Sequence, residues 1–167
     1  MSTDLVRDAV DREEAHPKAR EALSDAFFWD TLDATGPFGN ETAVEVYEAL
    51  RDLRDDNEQA SALGLLDALL ASWEVANEGW DTIDEGEVQA LGADDELGLL
   101  VRDEAILALA FGDLILTGRI EPEVRRRAVL ALSRQALPAL LHGYGERMKD
   151  REQRVARMRE ILGRKWD

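Results

Sequence analysis

The stretch that decides the fold is DDELGLLVRDEAILALAFGDLILTG, residues 94–118. Asp94 or Asp95 is placed to cap a helix that carries Leu97, Leu100, Val101, Ile106, Ala110 and Leu114, and Gly118 marks its end. The helix is apolar on more than one face, and a helix with no purely polar side belongs inside a protein, surrounded by other elements. The rest of the chain supplies those elements. It shows no convincing period-two alternation and few β-branched residues, so the expectation is an all-α, single compact multi-helix domain over residues 1–167, with five main helices plus short ones.

Working outward, Pro17 follows His16 and suits a first helical position, predicting a short helix to about Ala26. Phe27-Phe28-Trp29 forms an apolar cluster ahead of a loop from Asp30 to Gly39. Asn40 caps a helix with Ala43, Val46, Tyr47, Leu50 and Leu53 on one face, ending at Asp55-Asp56-Asn57. A longer helix is expected over Glu58–Asn77, and a short one near Asp84–Val88. Glu121-Pro122 starts another, Pro138 breaks it, Gly143 and Gly145 form a hinge, and a last helix runs from Glu146 to about Gly163. Ser2 and Thr3 are expected to cap a first helix carrying Leu5, Val6, Ala9 and Val10.

At 167 residues and 45% hydrophobic content, the chain can fill one core. With no cysteine it has no disulfide, thiolate nucleophile or cysteine-bound zinc, which favours a reducing, cytoplasmic setting. No signal-peptide pattern opens the sequence, and apolar runs stop well short of the ~18 residues that cross a bilayer, so no membrane partner is expected. The net charge is −16. Residues 146–167 hold eight basic and five acidic residues, net +3, so the remainder carries −19. Such an excess of carboxylates disfavours nucleic-acid binding and suits an acidic face that docks a basic protein.

Trp29-Asp30-Thr31-Leu32-Asp33 returns as Trp80-Asp81-Thr82-Ile83-Asp84. Each copy joins a large apolar anchor to carboxylates that can cap a helix or, if Asp30, Asp33, Asp81 and Asp84 converge, hold a hard cation. Asp33, Asp81 and Asp84 are the candidate metal ligands, for a divalent cation, with no other cofactor indicated. The first copy leads into Gly36-Pro37-Phe38-Gly39-Asn40, which reads first as a tight turn feeding a capped helix with Phe38 as a hydrophobic plug, and second as a place where glycines let a ligand approach the backbone. The binding candidates are His16, Trp29, Asp30, Asp33, Phe38, Asn40 and Glu41; the second copy reads as an anchored turn. Asp103, Glu104 and Asp113 lack the recurring spacing of carboxylate-bound magnesium sites and read as solvated faces. Histidine is scarce, and no motif surrounds any of the five serines, so no catalytic residue is assigned.

His16-Pro17-Lys18-Ala19, Phe28-Trp29, Asp33 and Pro37-Phe38-Gly39-Asn40-Glu41 together resemble the YfeS-like proteins, an uncharacterised bacterial family. The resemblance covers about residues 16–54. It departs where members often carry Asp and then Gly, and this chain has Glu41 and Thr42. It implies a bacterial, cytosolic protein and brings no activity. The leading expectation is an acidic-surface interaction module of immunity or antitoxin type, monomeric or homodimeric. The alternative is a metal-dependent hydrolase using clustered carboxylates.

Overall fold

Helix α4, Glu85–Thr117, is the element around which the computed structural model is assembled. The structure describes residues 10–166; the expected first helix at Ser2 to Ala9 lies outside them. Before α4 come α1 (Pro17–Ala22), a 3-10 turn (Ala26–Trp29), α2 (Glu41–Asp56) and α3 (Ala62–Ser72). After it come α5 (Pro122–Gln135), the single turn α6 (Pro138–Leu141), a 3-10 turn (His142–Arg147) and α7 (Met148–Leu162). The described residues are all-α, and none of their helices is long and apolar enough to cross a membrane.

Residues Ala105 to Ile115 are all buried, because α2, α3, α5 and α1 cover α4 on different sides. One apolar core results, running from Val10 to Trp166, with Phe28, Phe38 and Phe111 fully enclosed. Burying a side chain of that size stabilises the fold by roughly 1.5–3 kcal/mol.

Local capping chemistry fixes most boundaries. Asn40 Oδ1 accepts from the Ala43 amide at 2.7 Å, and His16 Nδ1 accepts from the Lys18 amide at 3.2 Å. Gly118, at φ 72°, closes α4 in the left-handed conformation with the His16 ring packed against it. The sequence expectation differs from the structure in four places, the first being α1, which ends at Ala22 and not near Ala26, where a separate 3-10 turn begins. Helix α3 starts at Ala62, not Glu58, because Ser61 caps it while the Glu121 carboxylate accepts from the Ala62 and Leu63 amides at 2.7 and 3.2 Å. It ends at Ser72, where Glu74 takes a positive φ of 58°. The last difference is α4 itself, in which the short helix expected near Asp84–Val88 and the one expected from Asp94 or Asp95 form a single element, capped by Asp84 and interrupted at Asp95 (φ −155°, ψ 71°). Asp95 there caps the second arm through the Gly98 amide.

Asp94 and Asp95 of α4 are exposed as expected, but Asp103 and Asp113 correct the expectation of solvated faces. Asp113 is 3% exposed and receives both the Nε and Nη2 of Arg54 at 2.8 Å, tying α2 to α4. Asp103 is 1% exposed and receives Arg134 at 2.8 Å and the Gln135 amide at 3.0 Å. Arg134 also donates to the Trp80 and Thr82 carbonyls, at 2.7 and 3.1 Å. One buried cation therefore joins α4, α5 and the second Trp-Asp-Thr segment. Removing one partner strands the other charge in the core. Arg134→Met is expected to cost about 3–5 kcal/mol in urea unfolding, with much of that recovered when Asp103→Leu is added. A single variant as stable as the parent would show that this pair does not organise the core.

Candidate functional site

A cleft of about 530 Å³ opens where the two arms of α4 diverge. Val88, Gln89, Gly92 and Ala93 of the first arm form one wall, and Leu99, Leu100 and Glu104 of the second form another. The loop residues Ala34, Gly39 and Asn40 and the turn residues Ala139, Leu140, Gly143 and Tyr144 complete it. Helical spacing explains the second-arm wall, since Leu100, Asp103, Glu104 and Leu107 share one face of α4. A recess of about 10 Å³ lies at the bottom, bounded by Asp103, Glu104, Gln135, Tyr144 and Arg151 among others. An apolar cleft that ends on polar groups has the usual form of a small-molecule site.

Arg151 reaches this floor from α7 and is 4% exposed. It donates to the Thr35 carbonyl at 3.0 Å and to Gln135 Oε1 at 3.4 Å, and its guanidinium lies 5.1 Å from the Tyr144 ring centre. Its Nε is buried without a partner among the described residues. Glu104 is half-buried, and nothing among the described residues donates a hydrogen bond to its carboxyl. Burial, and then the neighbouring Asp103, push that carboxyl up to about 7 against the opposing pull of Arg151. Burial likewise raises the Tyr144 phenol above its ordinary range. Carboxylic acids that titrate near neutrality are concentrated at functional sites.

The sequence candidates are distributed differently from expectation. Asn40 lines both the cleft and the recess while capping α2. Asp33 does not reach the cleft; it holds the loop that does. Its carboxylate accepts from the Thr35 amide at 3.0 Å and the Thr35 hydroxyl at 2.6 Å, and it pairs with Arg147 at 3.1 Å and with Arg154. Burial alone would raise Asp33, but these hydrogen bonds and the two guanidiniums bring it down to about 2. Trp29 donates its indole N–H to the Leu23 carbonyl, and Phe38 sits fully buried, edge-on to Tyr47. Asp30 caps its own turn through the Leu32 amide, Glu41 is exposed in the first turn of α2, and His16 caps α1. All five are therefore structural or solvent-facing residues and not parts of the cleft.

The proposed cation ligands do not converge. Asp33 faces α7, Asp81 pairs with Arg126 of α5, and Asp84 caps α4 through the Glu87 amide. Among the described residues, no three His, Asp or Glu side chains stand where they could hold a metal ion. Sequence reasoning missed Glu104, Tyr144, Gln135 and Arg151. The available signal was Asp103, Glu104 and Asp113 set inside a helix that is apolar on more than one face.

The loop itself is tightly fitted. A Cβ on Gly39 would stand 1.8 Å from the Asp33 carbonyl oxygen, and one on Gly36 would stand 2.6 Å from that of Phe27. The glycines therefore serve close packing of the backbone on itself, in keeping with a tight turn that feeds a capped helix. Comparisons with family models, with curated proteins and with solved structures find no match to this chain.

Asp33→Asn separates anchoring from metal binding. The variant is expected to lose about 1–3 kcal/mol at neutral pH, with no change in melting response to magnesium or calcium. The folded-state carboxyl is depressed, so its contribution is present above the ordinary carboxylate range and is lost as pH falls toward 2. Variant and parent should accordingly converge in acid. Unchanged stability together with a lost metal response would reverse the assignment.

Proposed function

We propose that this chain is a non-enzymatic binding protein whose ligand is a small, largely apolar molecule held in the cleft between the arms of α4. The observation that carries this is the union of an apolar cleft of about 530 Å³ with a polar floor drawn from α4, α5, α7 and the 142–147 turn. Clefts of roughly 300–1,000 Å³ accept drug-sized ligands. Among the described residues that line the cleft there is no serine, histidine or lysine. Gly92 offers a way to close it, since a Cβ there meets nothing within 4 Å. In a thermal-shift screen of small apolar compounds, a ligand at a hundredfold excess over its Kd is expected to raise Tm by about 5–10 °C. Gly92→Trp is expected to abolish that response. A library with no responder, or a Gly92→Trp variant that responds equally, would discard cleft binding.

A second function rests on a separate surface. Glu41, Glu45, Glu48, Asp52 and Asp55 follow one another at helical spacing along α2, and all are exposed. Like charges at that spacing repel, so a basic protein laid along α2 would relieve them. This keeps the acidic-face interaction as a proposal, of the immunity or antitoxin type. Proteins captured by this face are expected to be released as salt rises, and to be lost when Glu41, Glu45, Glu48 and Asp52 are changed to Lys. Partners retained equally at low and high salt would rule out an electrostatic dock.

A further inference from the structure

We propose that the cleft takes an amphipathic organic amine, its protonated nitrogen against the Glu104 carboxylate beside Tyr144 and its apolar body along Val88, Leu99, Leu100 and Leu140. This rests on the cleft being the ligand site, and adds the chemistry of the ligand. Among the described residues that line the main cleft, Glu104 is the only formally charged side chain. Arg151, the cation that acts on it, bounds only the recess beneath, where it donates to Thr35 and Gln135 and keeps its Nε without a partner among the described residues. An anionic ligand in the main cleft would therefore meet the Glu104 carboxylate before it reached Arg151 in the recess beneath. A cationic head meets a carboxylate that no described residue satisfies. The net charge of −16 adds a field that draws small cations toward the surface and repels anions.

The groups that face Glu104 set its pH behaviour. Asp103 on its own helix opposes ionisation, Arg151 of α7 favours it, and Tyr144 stays a neutral phenol across the range. Gln135 of α5 and Asn40 of the loop add neutral dipoles. An amine of pKa about 10 remains charged throughout. Its binding therefore requires Glu104 to lose its proton, and affinity rises with pH up to about 7, where burial has placed that carboxyl.

Three probes with one apolar body decide the matter: 4-phenylbutylamine, 4-phenylbutanol and 4-phenylbutyrate, titrated calorimetrically into the full chain. The amine is expected to bind tightest and to gain about thirtyfold in affinity between about pH 5.5 and about pH 8. The alcohol should bind more weakly without that dependence, and the acid weakest. Glu104→Gln is expected to remove both the pH dependence and the preference for amine over alcohol. Equal binding of all three probes, tighter binding of the acid, or amine affinity that falls as pH rises would overturn the inference while leaving cleft binding in place. If none of the three binds, the amine inference falls, and the library screen against Gly92→Trp decides separately whether cleft binding falls too. The wild-type pH profile keeps the test decisive even if Glu104→Gln fails to fold.

Discussion

A buried arginine cannot be left alone, and the contacts that satisfy Arg134 organise much of this structure. Asp103 neutralises it from α4, and the Trp80 and Thr82 carbonyls take its other guanidinium nitrogen. The connection from α3 into α4 is thereby fastened to α5. Asp103 also receives Gln135, and Gln135 receives Arg151, so the chain of polar contacts continues into α7 and ends on the Thr35 carbonyl. The links from Trp80 through Asp103 and Gln135 to Thr35 are buried, which makes the network intolerant of partial loss. It also fixes the floor of the cleft, because three of its members bound the recess.

The two Trp-Asp-Thr segments show how the same residues serve different ends. In the second, Trp80 lies between the guanidiniums of Arg102 and Arg127, 5.5 and 4.9 Å from its ring centre, and its carbonyl is held by Arg134. In the first, the arginines come from α7 and the 3-10 turn just before it. Arg147 and Arg154 hold Asp33, Arg151 holds Thr35, and Arg157 reaches Asp25 at 3.1 Å. The net positive charge of residues 146–167 is thus directed in large part toward the acids of one loop. The aliphatic residue of each copy, Leu32 and Ile83, is left exposed at 63% and 47%. Similar wording in the sequence reflects two separate clasps, with no shared site between them.

Helix positions were legible in the sequence because caps are local. Asn40, Pro17, Gly118 and Pro122 each act within a turn of their own position, and the sequence places all four correctly. The start of α3 was not legible because the Glu121 carboxylate that helps to secure it belongs to α5. The cleft was not legible for the same reason, taken further. Glu104, Gln135, Tyr144 and Arg151 come from four elements, and no spacing along the chain announces their meeting. What could have been read was a contradiction. A helix apolar on several faces has no solvated side, so Asp103, Glu104 and Asp113 had to be paired or to border a cavity. The structure pairs Asp103 and Asp113 and sets Glu104 at the cleft.

That division among three acids of one helix bears on why the cleft exists. Asp103 and Asp113 each receive a close arginine, and their burial is compensated. Glu104 receives none, and burial holds its carboxyl near neutrality instead. An apolar residue at that position would avoid the desolvation cost and continue the face already made by Leu100 and Leu107. Stability alone therefore argues against a carboxyl there. Such local conflicts with the surrounding fold are characteristic of sites that do work on something outside the chain. The empty side of Glu104 faces an apolar cleft, and a ligand that brings its own positive charge would complete the compensation that Arg134 and Arg54 provide for the other two acids.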